Sequence, residues 1–366
     1  MASAVAELAA ELVRIDSVNP ELVPGAAGEG EIARFVASWL ESAGLTVTLG
    51  EAAPGRPNVI GLARGSGGGR TLILNAHMDT VGVAGMGAPF DPRIENGRLY
   101  GRGAYDMKAS LAAIMVAGAE AVRQRFRGDV IVTAVCDEEA ASVGTAAVAE
   151  GYSSDAAIVS EPTELCLALA HKGFVAFEIE VAGRAAHGSR PDLGVDAIAR
   201  MGQVLVRLED LDRHLRDEPK HRLLGSGSLH ASIISGGQEY SSYPERCILQ
   251  GERRTIPGES VDQVETELRD ILGEVDGEAR VIFAREPFET SEHVEIAQLV
   301  RRYAGDPRIV GVPFWADSAL LASAGIPTVV FGPAGEGAHA AVEWVDLATV
   351  ERCVDVYTAV AADFCS

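Results

Sequence analysis

The chain has 366 residues, enough for two domains that each bury a core. Its formal charge of −22 argues against nucleic acid or an anionic membrane as partner, because both need basic surface. It leaves room for a small anionic substrate beside a local arginine or metal. Residues 2–13 do not read as a signal peptide, since Glu7 and Glu11 interrupt them and no basic start precedes them. The longest apolar stretch, 109–119, is too short to span a bilayer. Five scattered cysteines without a C-x-x-C pair suit free thiols in a reducing compartment, so the expected location is the cytoplasm.

Residues 28–45 have helical spacing, with Ile32, Phe35, Val36 and Leu40 on one face and Gly44 as a stop. Apolar strands follow at 58–62 and 71–75. The glycine-rich run 65–69 joins these strands, so it reads as a flexible hairpin loop rather than a phosphate cradle, which would open into a helix. A long apolar helix over 108–126 precedes buried strands at 129–136 and 156–160. Such alternation predicts an α/β fold with a largely parallel sheet covered on both faces. From 174 to 181 the pattern alternates, with Val175, Phe177, Ile179 and Val181 on one face and Glu178 and Glu180 on the other. A helix at 197–215, strands at 228–234 and 247–255, a helix at 261–272 and a strand at 280–284 complete a β-α-β-β-α-β, ferredoxin-like order. The chain then returns to α/β alternation, with a helix at 294–303, a strand at 328–331 and a closing helix at 347–364. The expected organisation is one α/β domain built from 1–172 and 286–366, interrupted by an inserted α+β domain at 173–285.

Candidate metal ligands fall repeatedly past the C-terminal ends of predicted strands, the edge where open α/β sheets bind ligands. His77 and Asp79 follow the 71–75 strand, Asp106 opens the long helix, and Asp137-Glu138-Glu139 closes the next strand. Glu161 closes the one after, and His339 follows the strand ending at Phe331. Singly, each has a plainer reading: Asp106 as a helix cap, the paired glutamates as solvated loop charges, Glu161 before Pro162 as a turn, His339 as a surface residue. Together they gather at one edge of one sheet, which scattered surface charges have no reason to do. Two imidazoles and three carboxylates can hold two ions if one carboxylate bridges, leaving a position open for water. Such ions share a hydroxide and polarise a carbonyl, while a free carboxylate moves the proton. Of two adjacent glutamates, one can ligate and the other face the water. Asp79 is spaced to hold the His77 imidazole.

His77-x-Asp79, Gly101-Arg102-Gly103-x-x-Asp106-Met107-Lys108, Asp137-Glu138-Glu139, Ser160-Glu161-Pro162-Thr163 and Ala338-His339-x-x-x-Glu343 together resemble the M20 family of metallopeptidases and deacylases. The resemblance covers nearly the whole chain. It implies a zinc-exopeptidase-like domain of mostly parallel sheet, with the insertion as a lid through which the chain forms a homodimer. It implies one zinc on His77 and Glu161, a second on Glu139 and His339, and Asp106 bridging; cobalt and manganese suit the same donors. Glu138 would be the general base and Asp79 would orient His77. Within Gly183-Arg184-Ala185-Ala186-His187, His187 resembles the lid histidine that stabilises the oxyanion in a partner's site. Arg254, before Pro257-Gly258, resembles the arginine for the substrate carboxylate. Glu161, rather than aspartate, resembles the acetylornithine and succinyl-diaminopimelate branch.

Three positions depart from the family pattern. Ala109-Ser110 replaces a glycine pair, Ser241 stands near a usual lid asparagine, leaving one oxyanion or substrate contact open, and Ala341-Val342 replaces a segment with asparagine. None removes a ligand. The expected activity is hydrolysis of the amide of a small N-acyl amino acid. An exopeptidase built on the same site is a second reading, and a non-catalytic binding protein a third.

Overall fold

The computed structural model describes residues 3–217 and 220–366. The chain divides into two compact units, one of residues 1–169, 290–310 and 316–366, the other of 170–289 and 311–315. The insertion is therefore wider than 173–285 and recruits a return segment. Within it, the Lys172 N–H donates to the Val312 carbonyl, and the Trp315 indole donates to the Glu286 carbonyl while packing edge-on to His171.

The first unit is built on a mixed sheet. Its strands run in the order Thr46–Ala53, Arg56–Ala63, Val130–Val135, Leu72–His77, Ala156–Val159, Thr328–Val330, and then the start of Leu167–His171, where Ala168 pairs with Val330. Leu72–His77 lies parallel to both neighbours, and Thr328–Val330 lies parallel to Ala156–Val159. The two outer strands run antiparallel, so the sheet is parallel at its centre. These central strands are buried along their whole length, as an apolar run covered on both faces requires. Helices Ala4–Arg14, Ala109–Gln124 and Leu347–Phe364 bury apolar faces in this unit.

The glycine run at 65–69 is not a hairpin loop. Val130–Val135 inserts between the two strands that the run connects. Nor is it built for looseness: a Cβ on Gly65 would lie 2.3 Å from the Arg127 carbonyl oxygen, and one on Gly69 would lie 2.2 Å from the Gly128 nitrogen. The glycines let two main chains pass in contact. A third sheet escaped sequence reading, with order Gly335–Glu336, Trp344–Asp346, Arg98–Tyr100, Arg93–Glu95. Strands of two or three residues carry no readable period.

The second unit is a four-stranded antiparallel sheet in the order Ser228–Gly236, Arg246–Thr255, Gly173–Ala182, Gly277–Arg285. Numbered along the chain, this is 2-3-1-4, the ferredoxin-like arrangement. Val175, Phe177, Ile179 and Val181 pack with Met201, Val204 and Leu208 of helix Ala197–Asp217 and with Val264, Leu268 and Ile271 of helix Val261–Leu272. Ser228–Gly236 is an edge strand exposed from His230 onward, with Ile233 and Ile234 facing solvent.

Candidate metal centre

His77 is the last residue of Leu72–His77, Glu138 and Glu139 follow Val130–Val135, and Glu161 follows Ala156–Val159, so three neighbouring strands deliver their ends to one place. Asp106 does not cap the long helix. It sits in a π-helical turn, Ala104–Lys108, with non-helical dihedrals of its own, before helix Ala109–Gln124 begins. His339 is brought in by the third sheet, from the loop between Gly335–Glu336 and Trp344–Asp346, and not directly by the strand before it.

The ligating atoms of His77, Glu138 and Glu161 lie within 4.8 Å of one another, as do those of His77, Asp106 and Glu139. Asp106 spans both imidazoles: Oδ1 is 3.1 Å from His77 Nε2, and Oδ2 is 3.4 Å from His339 Nε2. His339 Nε2 is also 3.1 Å from Glu139 Oε2, and His77 Nε2 is 3.8 Å from Glu161 Oε1. The cluster thus has a His77–Glu161 half and a His339–Glu139 half that share Asp106.

Burial, and then the charge of neighbouring carboxylates, pushes Glu138, Glu139 and Glu161 above the usual carboxylate range. Burial works against charge on His77 too, but its bond to Asp106 and the surrounding carboxylates outweigh it and hold the imidazole well above its ordinary value. Bonds to Asp106 and Glu139 push His339 up to about 10. Despite burial, the two imidazoles hold Asp106 below its ordinary value. Glu139 Oε1 is buried with no hydrogen-bond partner among the described residues. Crowded carboxylates, two imidazoles and an orphaned acceptor fit a pair of divalent cations sharing one carboxylate.

Groups behind the candidate ligands fix them. His77 Nδ1 lies 2.9 Å from the main-chain carbonyl of Asp79, whereas the Asp79 carboxylate is 3.6 Å away. A carbonyl only accepts, so Nδ1 carries the proton and Nε2 is the nitrogen left for a metal. The Asp79 carboxylate instead accepts the N–H of Glu138 at 3.1 Å and of Glu139 at 3.2 Å. It therefore aims the two glutamates, while its backbone aims the histidine.

Glu343, quoted in a motif above without a role, is buried and organises the segment carrying Asp106. Its carboxylate accepts from the main-chain N–H of Gly103, Tyr105 and Asp106 at 2.9–3.1 Å, and from Arg102 Nη1 at 2.6 Å. Arg102 also donates to the carbonyls of Gly82 and Ala340, the latter beside His339. Asp317, not anticipated at all, is buried against Thr145 Oγ1 at 2.6 Å, and burial raises it to about 6. In sequence it reads as an ordinary residue at the start of the short helix Ser318–Ser323.

The remaining site candidates lie in the second unit. His187 is exposed, with Nδ1 2.8 Å from Ser189 Oγ. Ser241 lies beside it, its carbonyl accepting the Gly188 N–H at 2.6 Å. Arg254 is half-buried, 2.6 Å from Glu252 and stacked over Phe174.

The family model for peptidase family M20/M25/M40 matches residues 73–363. An acetylornithine deacetylase of Vibrio atlanticus is 29% identical over 371 residues, covering 97% of each chain. Another, from Myxococcus xanthus, is 30% identical and covers 90% of this chain and 91% of its own. Among solved structures, a tripeptidase of Staphylococcus aureus superposes with a TM-score of 0.81 at 19% identity, covering 99% of this chain and 98% of its own. An M20 metallo-carboxypeptidase of Sulfolobus solfataricus gives 0.80 at 18%, covering 98% and 99%. With the motif residues gathered around shared Asp106 and the family model spanning most of the sequence, the chain belongs to the M20 peptidase family and is a hydrolase.

Proposed function

We propose that this protein is a deacylase that hydrolyses the amide of a small N-acyl amino acid, with N-acetyl-ornithine the first substrate to try. The observation that carries this reading is likeness to acetylornithine deacetylases along almost the whole length of both chains. His77 and Glu161 would hold one ion, Glu139 and His339 the other, and Asp106 both. Zinc is the proposed metal, and cobalt or manganese fits the same donors. Bound there, the ions would supply Lewis acidity at the scissile carbonyl and make an attacking water more acidic. Glu138 takes the proton of that water and hands it to the leaving nitrogen. Its N–H bond to Asp79 keeps the carboxylate beside the ligand set.

The reading includes a cytoplasmic homodimer formed through the inserted unit. The exposed edge strand Ser228–Gly236 supports it, since its outer edge, carrying Ile233 and Ile234, can pair with a second copy. His187 would then steady the oxyanion in that second copy, Arg254 would bind the substrate carboxylate, and Ser241 would contact oxyanion or substrate. The same donor set also suits an exopeptidase.

A hydrolysis screen of metal-loaded protein against N-acetyl-ornithine, N-succinyl-diaminopimelate, other N-acyl amino acids and dipeptides tests the reading, with a chelator control. Chelator-sensitive cleavage of one N-acyl amino acid well above the dipeptides is expected, and preference for dipeptides would overturn it. Glu138→Gln should keep the metals and lower turnover by a factor on the order of 10²–10⁴.

A further inference from the structure

Behind the candidate metal cluster lies a second set of charged groups that joins its Asp79 to the core. Arg56 begins strand Arg56–Ala63, and Glu29 precedes helix Gly30–Ser42. Both are buried, as are Asn19, Asp79 and Asp137. Arg56 grips Glu29 through two bonds, Nε to Oε2 at 3.1 Å and Nη2 to Oε1 at 2.5 Å, and the same Nη2 lies 2.8 Å from Asp137 Oδ1. Glu29 Oε1 accepts the Asp137 N–H at 3.1 Å. Asn19 Nδ2 ties Asp137 Oδ1, at 3.1 Å, to Asp79 Oδ2, at 2.7 Å. Asp79 in turn receives the N–H groups of Glu138 and Glu139.

The point held so firmly is a costly one. Asp137 has φ 69, a left-handed conformation that residues other than glycine adopt at a cost. That turn swings the chain off the strand end, so that two consecutive peptides donate to Asp79 while two consecutive side chains face the metal cluster. Three carboxylates, Glu29, Asp79 and Asp137, meet here, and the guanidinium fork supplies positive charge in a geometry lysine cannot copy. Residues strained in this way persist where their surroundings over-determine them.

The geometry points to Arg56, clamped by Glu29, as a positioning residue that sets the Asp137 turn and thereby the aim of Glu138 and the ligand Glu139. It lies behind the candidate donor set and is not one of its members. Its kinetic arm rests on the assignment of Glu138 proposed above, whereas its metal arm does not.

The test uses Arg56→Met, Arg56→Lys and the double variant Arg56→Met/Glu29→Gln, which avoids stranding the Glu29 charge. Each is examined for Co²⁺ binding through the visible absorption of the ion, and for hydrolysis of N-acetyl-ornithine at saturating metal. In Arg56→Met and the double variant, Co²⁺ affinity and kcat should each fall on the order of 10–100-fold, as when other groups behind metal ligands are lost. KM should stay within about twofold, and the Co²⁺ spectrum should change. Arg56→Lys should fall between wild type and Arg56→Met. A merely structural role would lower thermal stability and leave spectrum, affinity and kcat of the folded protein unmoved, which overturns the proposal. Recovery of both Co²⁺ affinity and kcat in the double variant would also overturn it, by tracing the single-variant loss to a stranded charge. If Arg56→Met does not fold, Arg56→Lys and the double variant decide on the same readouts. Weakened Co²⁺ binding without turnover of any N-acyl amino acid even by wild type would uphold the positioning role and sink the substrate reading.

Discussion

The two imidazoles of the cluster are held in opposite ways. His77 ends a strand buried along its length, with Nδ1 fixed by a carbonyl and a side chain 1% exposed. His339 stands at φ 62 in the loop of a short hairpin, its side chain 55% exposed and held by the carboxylates of Asp106 and Glu139. One half of the centre is thus preset by the core, and the other is assembled by a loop that Arg102 and Glu343 tie down. A preset ligand loses little entropy on binding an ion, whereas an exposed one must be ordered and competes with water. The His339 half should therefore release its ion first.

The largest effect expected from this asymmetry is on folding. His77→Ala leaves Asp106 and Glu161 without their buried imidazole, and should destabilise the metal-free protein by about 3–5 kcal/mol in a denaturant titration. A loss below 1 kcal/mol would mean that the core does not preset this half. Next is Glu343→Gln, which keeps the shape but loses the charge that gathers the 102–106 segment. Metal affinity or kcat should drop about 10–100-fold, and an unchanged value would release the loop from that staple.

Acid should strip metal from both halves. In the metal-free protein the imidazoles and the carboxylates Glu138, Glu139 and Glu161 are all raised, so near neutral pH the cluster holds protons that an ion must displace. Apparent affinity then rises with pH, about tenfold per unit for each proton released, and falls on acidification. Calorimetry in buffers of different ionisation heat counts those protons, and a flat profile between pH 6 and 8 would refute the sign. The smallest effect is that of His339→Ala on stability. As a half-exposed pair it should cost about 1 kcal/mol or less, while the stoichiometry in a metal assay falls from two ions to one.

The side of the cluster built on strand ends is the one with a local signal in sequence: His77 ends an apolar strand, and Glu139 and Glu161 follow two others, and such apolar runs can be read locally. Helices Val261–Leu272 and Leu347–Phe364 agree with their expected bounds, and the inserted sheet has its expected order. What escaped depends on partners far apart in the chain. Arg102 and Glu343 meet across 241 residues, and Arg56 and Asp137 answer to no local period. The 65–69 glycines looked like slack because the Arg127–Gly128 main chain they accommodate lies on another turn. The division at Asp79 is not written in its spacing from His77: the main-chain carbonyl lies against the imidazole, and the carboxylate accepts from Glu138 and Glu139.

The split of the first unit around the second also has a consequence for biogenesis. Thr328–Val330 is an interior strand, lying between Ala156–Val159 and Leu167–His171. Until it leaves the ribosome, the larger sheet has a gap, and the segment bearing His339 emerges later still. At about 5–20 residues per second, the last strand of the ferredoxin-like insertion, Gly277–Arg285, emerges a few seconds earlier, and its return segment 311–315 follows shortly before Thr328–Val330. The nascent chain therefore displays His77, Asp106, Glu139 and Glu161 before His339, and completion of the candidate donor set becomes one of the last events in its synthesis.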